Sequence, residues 1–569
     1  MKTPLGIRLR RLAWTPLRLE ANVRVIAWGR AARNAAAVQA RLLERLLAQA
    51  AETRFGRDHG LVHARTVKDL RQVLPIAGYE RFEPYVRRVE RGEVEALFPR
   101  GTRIHVFAMT SGTTGTPKRI PVTDAVARAY REGWNVWGVH AMNDHFEAFG
   151  ARILQITSRV DETITPSGVP AGAMSGFTAE AQRGLVRRLY IMPSEASCAG
   201  DTATKYYLAC RLGLMDRRVL PVTANPSTLL GLAREMDRRK EELLRDLADG
   251  TLSANLALAE QYRRRIAGRL HPMPERAREI EARARVSGRL YPKDVWQLPL
   301  IGTWKGGTLS LYLREMPTYW GDAPIRDIGL IASEGRFSVP LQTDGSAGVL
   351  EVTGTFYEFV PEDEIETQKP AALLAHEVEV GRRYFLVVTT PSGLYRYDIR
   401  DLVQVVGRMG EAPIIEFLNK GQHASNLTGE KLTEFQVTSA VNGCVARLGL
   451  GVRNYCLAPT WAEVPYYSLL VEETEVAAAR AGEFAVAVDL ALRALNMEYE
   501  AKRQSGRLQG VRVKTVAAGA WQDYDAAEVA SRRGRIEQYK HKFLASELDF
   551  ERRFRVLASY APPGARITV

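Results

Sequence analysis

Three short segments of the chain carry side chains of types and spacings that could handle a phosphorylated ligand. The first is Thr110-Ser-Gly-Thr-Thr-Gly-Thr-Pro-Lys118, set between the apolar runs Val106-Phe-Ala-Met109 and Ile120-Pro-Val122. Small hydroxyl residues and glycines leave backbone N–H groups able to surround phosphate oxygens, and a terminal lysine adds positive charge. Thr110, Ser111, Gly112, Thr113, Thr114, Gly115 and Lys118 therefore form a candidate anion cradle. Their spacing is not the GxxxxGK[ST] of a Walker loop, so the helix and Mg2+ geometry of that class do not carry over. An ordinary turn would have a similar composition.

The second segment, Ile328-Gly-Leu-Ile-Ala-Ser-Glu-Gly335, ends an apolar run in Ser333 and Glu334. A carboxylate at the mouth of a buried strand could hold Mg2+ against a triphosphate, because this hard cation takes carboxylate oxygen and keeps several waters. The alternative is a surface glutamate at a strand end. The third, Gly393-Leu-Tyr-Arg-Tyr-Asp-Ile-Arg-Asp401, enters the apolar run 402–406. Asp401, at the start of that strand, could accept hydrogen bonds from two vicinal ribose hydroxyls. Beside Arg400 it could equally be half of a surface ion pair.

Positioning these side chains requires a scaffold, and its periodicity is legible. Short β-rich runs at 153–157, 348–353, 384–389 and 401–406 lie among long helical patterns. One helix begins near Ser227, carries Leu230, Met236, Leu243, Leu244 and Leu247, and is closed by Gly250. The alternation predicts an α/β fold with substantial parallel sheet. After about Asn419 the texture changes to a helix over 429–448, strands near Tyr455 and over 466–472, another helix and a strand over 511–516. A large unit over 1–420 and a small α+β unit over 421–569 are expected. The basic stretch after Arg8 is interrupted by Pro16 and followed by Glu20, and reads as the approach to an ordinary packed helix through Val38, Leu42 and Leu46.

Composition narrows the partners. Of 569 residues, 46% are hydrophobic and 25% charged, which excludes a disordered or collagen-like chain. No apolar stretch reaches the roughly 18 to 20 residues that span a bilayer, so stable membrane insertion is not expected and a cytoplasmic location is. Cys198, Cys210, Cys444 and Cys456 make no CxxC pair and no ligand-spaced set with histidine, which removes a zinc site and a disulfide framework. The net charge of +14 is spread among acidic residues, as in Arg234-Glu-Met-Asp-Arg-Arg-Lys-Glu-Glu242, and so nucleic acid is not an expected partner.

The three segments, in this order and at these intervals, resemble the Gretchen Hagen auxin-responsive promoter family of acyl acid amido synthetases, a branch of the adenylate-forming enzymes. The first is similar to the family's SSGTT-x-G-x-x-K-x-IP, Ala332-Ser333-Glu334 to the end of its YASSE, and Tyr395 to Asp401 to its YRYRVGD. Phe356-Tyr-Glu-Phe-Val-Pro361, Lys431-Leu-Thr-Glu434 and Gln538-Tyr-Lys540 extend the resemblance, which runs from about 60 to about 545. There are departures. Leu330 stands where the family usually has a tyrosine against adenine, and Asp398 and Arg400 replace an arginine and a glycine. His541-Lys542-Phe543 replaces the Thr-Pro-Arg of plant members, and auxin is not implied.

The resemblance implies a large adenylate-forming domain with mixed sheets and helices, followed by a small mobile domain that hinges near Asn419-Lys-Gly-Gln422. It implies ATP and Mg2+ as cofactors, with Thr110 to Lys118 on the β- and γ-phosphates and Glu334 as the metal ligand. Ala332, Ser333, Tyr397, Asp401 and Lys420 would line the nucleotide, and Lys540, or in its place Lys542, would approach the α-phosphate. A carboxylic acid would be adenylated with loss of pyrophosphate, and an amine or amino acid would then take the acyl group. Transfer to a thiol of coenzyme A or a carrier protein stays open, as does a nucleotide- or nucleic-acid-binding protein that kept the fold.

Overall fold

The computed structural model describes residues 22–109, 118–182, 184–306, 309–365, 367, 369–420, 424–425, 427–428, 430, 432–504, 506, 508–531 and 540–561. Helix α1 (Ala35–Ala51) buries Leu42, Leu43, Leu46 and Leu47 along one face, as its three- and four-residue spacing requires. Gln39 on that face is buried as well. Its amide donates to the carbonyls of Val352 and Thr355 and accepts the N–H of Tyr357, which ties the helix to the large sheet.

Strands β1 (Ile104–Met109) and β2 (Arg119–Thr123) pair antiparallel with Met109 opposite Arg119, so the first chemical segment is the loop of a hairpin. Thr123 then caps helix α2 (Asp124–Asp144), its hydroxyl accepting the N–H of Val126. Within α2, Gly133 lies against the buried side chain of Arg336, and a Cβ there would run into Arg336 Cδ and Nε. Gly133→Ala should therefore lower stability by about 1 to 3 kcal/mol through overpacking. A thermal melt equal to that of the unsubstituted protein would show that Arg336 can step aside.

The helix expected from Ser227 to Gly250 is two helices, α3 (Pro226–Arg238) and α4 (Lys240–Asp249). Arg239 leaves the helical region (φ −108°, ψ 22°) and turns its guanidinium over the ring of Tyr207, 4.2 Å from the centroid. Met236 and Leu243 stay seven residues apart across the break and both are buried, so the apolar pattern gives no sign of it. Gly250 ends α4 in the left-handed region, as expected (φ 74°).

Strands β3 (Ile331–Ala332) and β4 (Gly335–Arg336) form a tight hairpin. A seven-stranded sheet follows from β5 (Ser338–Val339), β6 (Gly348–Leu350), β7 (Phe356–Pro361), β8 (Leu373–Leu374), β9 (Arg383–Thr390), β10 (Leu394–Met409) and β11 (Ala412–Lys420). Its order is β5-β6-β11-β10-β9-β7-β8. The chain is of mixed α/β class, and the expectation of parallel sheet holds in part: residues 152–154 pair parallel with 219–221 and 301–302 with 325–326, whereas every described register in this seven-stranded sheet is antiparallel, which corrects the expectation there. All six residues of β7 are buried. A strand covered on both faces reads as an unbroken apolar run whichever way its neighbours point.

The chain divides into two compact units, the first reaching Phe417 and the second starting at Leu418. In the second, α5 (Glu434–Leu448) starts from a Thr433/Gln436 capping box, later than the expected 429. There follow β12 (Tyr455–Thr460), β13 (Tyr466–Glu472), α6 (Ala478–Leu495), β14 (Arg512–Val516), α7 (Ala520–Ser531) and β15 (Val556–Tyr560). The four strands form one sheet in the order β12-β13-β14-β15, with β13 and β14 parallel. Among the described residues no helix is long and apolar enough to cross a membrane.

Candidate active site

The site is organised by an irregularity in β10. Arg396 (φ 49°) and Arg400 (φ 61°) both occupy the left-handed region, and the register against β9 shifts twice. Such strain of about 1 to 3 kcal/mol per residue persists only where the surroundings hold it. Here Arg396 is buried, its Nε 2.8 Å from Glu358 Oε2 and its Nη1 2.8 Å from the Leu74 carbonyl. The backbone of Ala77 pairs alongside, accepting the N–H of Asp398 at 3.0 Å and donating to the carbonyl of Arg396 at 3.2 Å. Between the two arginines, Tyr397 is thereby fixed.

Tyr397 joins the three segments. Its buried hydroxyl accepts from Lys118 Nζ at 3.4 Å and donates to Glu334 Oε1 at 3.4 Å. Burial, then the negative charges of Glu334, Asp401 and Asp398, push the phenol well above its ordinary range, so it stays neutral and keeps its proton to donate. Lys118 also lies 5.7 Å from the centre of the Tyr79 ring. The Tyr79 hydroxyl donates to the Arg119 carbonyl at 2.7 Å and accepts the Arg119 N–H at 3.1 Å, which anchors the residue next to Lys118.

Glu334 is the second turn residue of the β3–β4 hairpin, after Ala332 and Ser333, yet is only 8% exposed. The surface-glutamate alternative is thus excluded. The Tyr130 hydroxyl of α2 bonds the Ala332 carbonyl and fastens the hairpin from the other side. Two residues on, Arg336 donates from Nη2 to the Ile328 carbonyl at 2.6 Å and lies 4.6 Å from the centre of the Trp134 ring. Burial lowers this guanidinium to about 10, which still leaves it charged at neutral pH.

Asp401 does not start a strand: β10 already runs from Leu394, and the left-handed Arg400 makes the turn of backbone that the residue pattern suggested as a boundary. It is also not a surface partner of Arg400. Asp401 is 1% exposed, and Arg400 Nε instead meets Asp398 Oδ2 at 2.9 Å, with the Arg400 N–H on Asp398 Oδ1 at 2.8 Å.

The structure therefore brings Lys118, Glu334 and Tyr397 into one hydrogen-bonded chain, with Ala332, Ser333 and Asp401 on the same elements. Thr110, Ser111, Gly112, Thr113, Thr114 and Gly115 lie outside the described residues, as do Gln538 and the side chain of Lys420, whose backbone ends β11. Lys540 is exposed and belongs to the second unit. Tyr79, Tyr130 and Arg336 were not read from sequence. No local pattern marks them. Among the described residues no three His, Cys, Asp or Glu side chains gather as a metal cage. One carboxylate is nevertheless a sufficient protein ligand where phosphate oxygens and waters complete the shell of Mg2+, and Glu334 fits that need.

Comparison with known proteins agrees along the whole chain. Residues 28–325 match the GH3 family N-terminal domain, 348–420 the GH3 family central domain and 435–549 the GH3 family C-terminal domain. A probable indole-3-acetic acid-amido synthetase of Oryza sativa subsp. japonica is 28% identical over 546 residues, covering 89% of this chain and 87% of that protein. A jasmonoyl–L-amino acid synthetase of Nicotiana attenuata is 24% identical over 430 residues, 72% of this chain and 73% of that one. The solved structure of an acyl acid amido synthetase in complex with 2,4-DB has the same fold, with a TM-score of 0.83 at 19% identity over 96% of this chain and 98% of its own. With consecutive domains of a single family matched in order from residue 28 to residue 549, the chain belongs to the GH3 family.

Proposed function

We propose that this protein is an ATP-dependent, AMP-forming ligase that adenylates a carboxylic acid, releases pyrophosphate, and passes the acyl group to an amine or amino acid to form an amide. The observation that carries this reading is the Lys118–Tyr397–Glu334 chain in a member of the GH3 family. A carboxylate is a poor electrophile, and adenylation turns its oxygen into a good leaving group. Because a neutral phenol stands between them, the ammonium of Lys118 and the carboxylate of Glu334 are held near each other without forming a direct ion pair. The ammonium would counter charge on the leaving pyrophosphate. Glu334 would hold Mg2+, which supplies charge neutralisation at the phosphates.

Asp401 would take the ribose hydroxyls. Asp401→Asn keeps the size but replaces one acceptor oxygen with a donor, so an acceptor shared by two hydroxyls becomes mispaired. ATP affinity measured by calorimetry should fall by about 1 to 3 kcal/mol. Unchanged affinity would remove Asp401 from the ribose.

The small domain over 421–569 would move between the half-reactions, bringing Lys540 to the α-phosphate for adenylation and withdrawing it for aminolysis. The experiment that tests the whole reading is pyrophosphate release against a carboxylic acid library, followed by amines, amino acids and thiols supplied separately. Amide formation is the expected outcome. A thioester product would move the protein to the acyl-thiol branch, and no release across the library would remove the catalytic reading.

A further inference from the structure

We propose that His541 is a positioning residue: a doubly protonated imidazole clamped between Asp525 and the Tyr455 carbonyl, which fixes the segment presenting Lys540. This rests on the reading of Lys540 given above. The His541 side chain is 0% exposed. Its Nδ1 lies 3.0 and 3.1 Å from the two carboxylate oxygens of Asp525 on α7, and its Nε2 lies 3.1 Å from the Tyr455 carbonyl oxygen on β12. A carbonyl and a carboxylate can only accept, so both ring nitrogens must donate. A neutral imidazole has one N–H and would turn a lone pair toward one of these acceptors. The two contacts are satisfied together by imidazolium, with Asp525 as its counter-charge. The rings of Trp521 and Phe543, 5.0 and 4.7 Å away and roughly perpendicular, close the site to water.

The clamp lies in a segment that is otherwise bound by its backbone. Leu457 of β12 donates to the Phe543 carbonyl and accepts the N–H of Ala545, each at 2.9 Å, so residues 543–545 run parallel to that strand. Glu434, buried in the first turn of α5, accepts the Phe543 N–H, and burial pushes its carboxyl up to about 7. Among the described residues, the ionisable groups facing the segment are Asp525 from α7, Glu434 from α5 and the buried Cys456 thiol from β12, with Lys542 on the segment itself held by Glu547 at 3.4 Å. His541 follows the exposed Lys540 directly in the chain. Loss of its second proton withdraws one of the two hydrogen bonds and loosens the base from which Lys540 projects.

Two readouts on the full-length protein test this. With 15N-labelled histidine, the ring-nitrogen NMR signals that disappear in His541→Gln should show two protonated nitrogens near neutral pH. Pyrophosphate release without acceptor should then fall with rising pH more steeply in the unsubstituted protein than in Asp525→Asn. An asparagine amide can donate to Nδ1 of a neutral imidazole, so that clamp needs one proton fewer. The ratio of the two profiles should rise on the order of tenfold, the worth of one hydrogen bond to a charged group. His541→Ala should slow adenylation and spare aminolysis of supplied acyl-AMP. An unprotonated Nδ1, identical pH profiles, or equal loss in both half-reactions would each overturn the proposal. Full adenylation in Lys540→Ala would instead overturn the reading of Lys540, and the histidine spectrum, which does not involve that lysine, tells the two failures apart.

Discussion

Lys118→Ala and Glu334→Gln should each slow pyrophosphate release about tenfold to over a hundredfold, the effect of losing a charge-assisted contact worth on the order of 1.5 to 3 kcal/mol. The geometry sharpens the expectation, because both side chains meet the same Tyr397 hydroxyl at 3.4 Å. Removing one changes what the phenol does for the other, so the double substitution should cost less than the product of the single effects. Thermal melts should change little. Lys118 is only half-buried, and Glu334→Gln keeps an oxygen acceptor for the Tyr397 proton. Near-normal pyrophosphate release in both variants would count decisively against the assignment.

Lys540→Ala should slow acyl-AMP formation by about tenfold or more and leave aminolysis of supplied acyl-AMP untouched. An ammonium near the α-phosphate stabilises charge only while that phosphate is under attack. Lys542 is the natural control. It is held by Glu547 and lies 5.7 Å from the centre of the Phe550 ring, so Lys542→Ala should have the smaller effect. Single-turnover measurement of the two half-reactions separates the cases. Equal loss in both, or none in either, would remove the role from Lys540.

What could be read from sequence and what could not divide along physical lines. Lys118, Glu334 and Asp401 stood out as candidates because each lies in a segment of fewer than ten residues with a residue pattern of its own. The bond that joins the first two was not, since Lys118 and Tyr397 are 279 residues apart. Tyr79 and Tyr130 act through single hydroxyls placed by the fold, and no spacing marks such a residue. The direction of the strands in the large sheet was misread because β7 and β9 are buried along nearly their whole length, which removes the one-face alternation that marks a half-exposed antiparallel strand. The boundary inferred at Asp401 was the trace of Arg400, whose left-handed backbone breaks the alternation without ending the strand.

That backbone also explains a pair of departures from the family pattern. The pattern has glycine where this chain has Arg400, and φ at that position is 61°, a region glycine enters without penalty and an arginine at a cost of about 1 to 2 kcal/mol. The pattern has arginine where this chain has Asp398, and that carboxylate takes both the guanidinium and the N–H of Arg400. The two changes are therefore coupled through one contact. Asp398 supplies the acceptor that makes a side chain at position 400 tolerable, and Arg400 supplies the charge that makes a largely buried carboxylate at 398 tolerable.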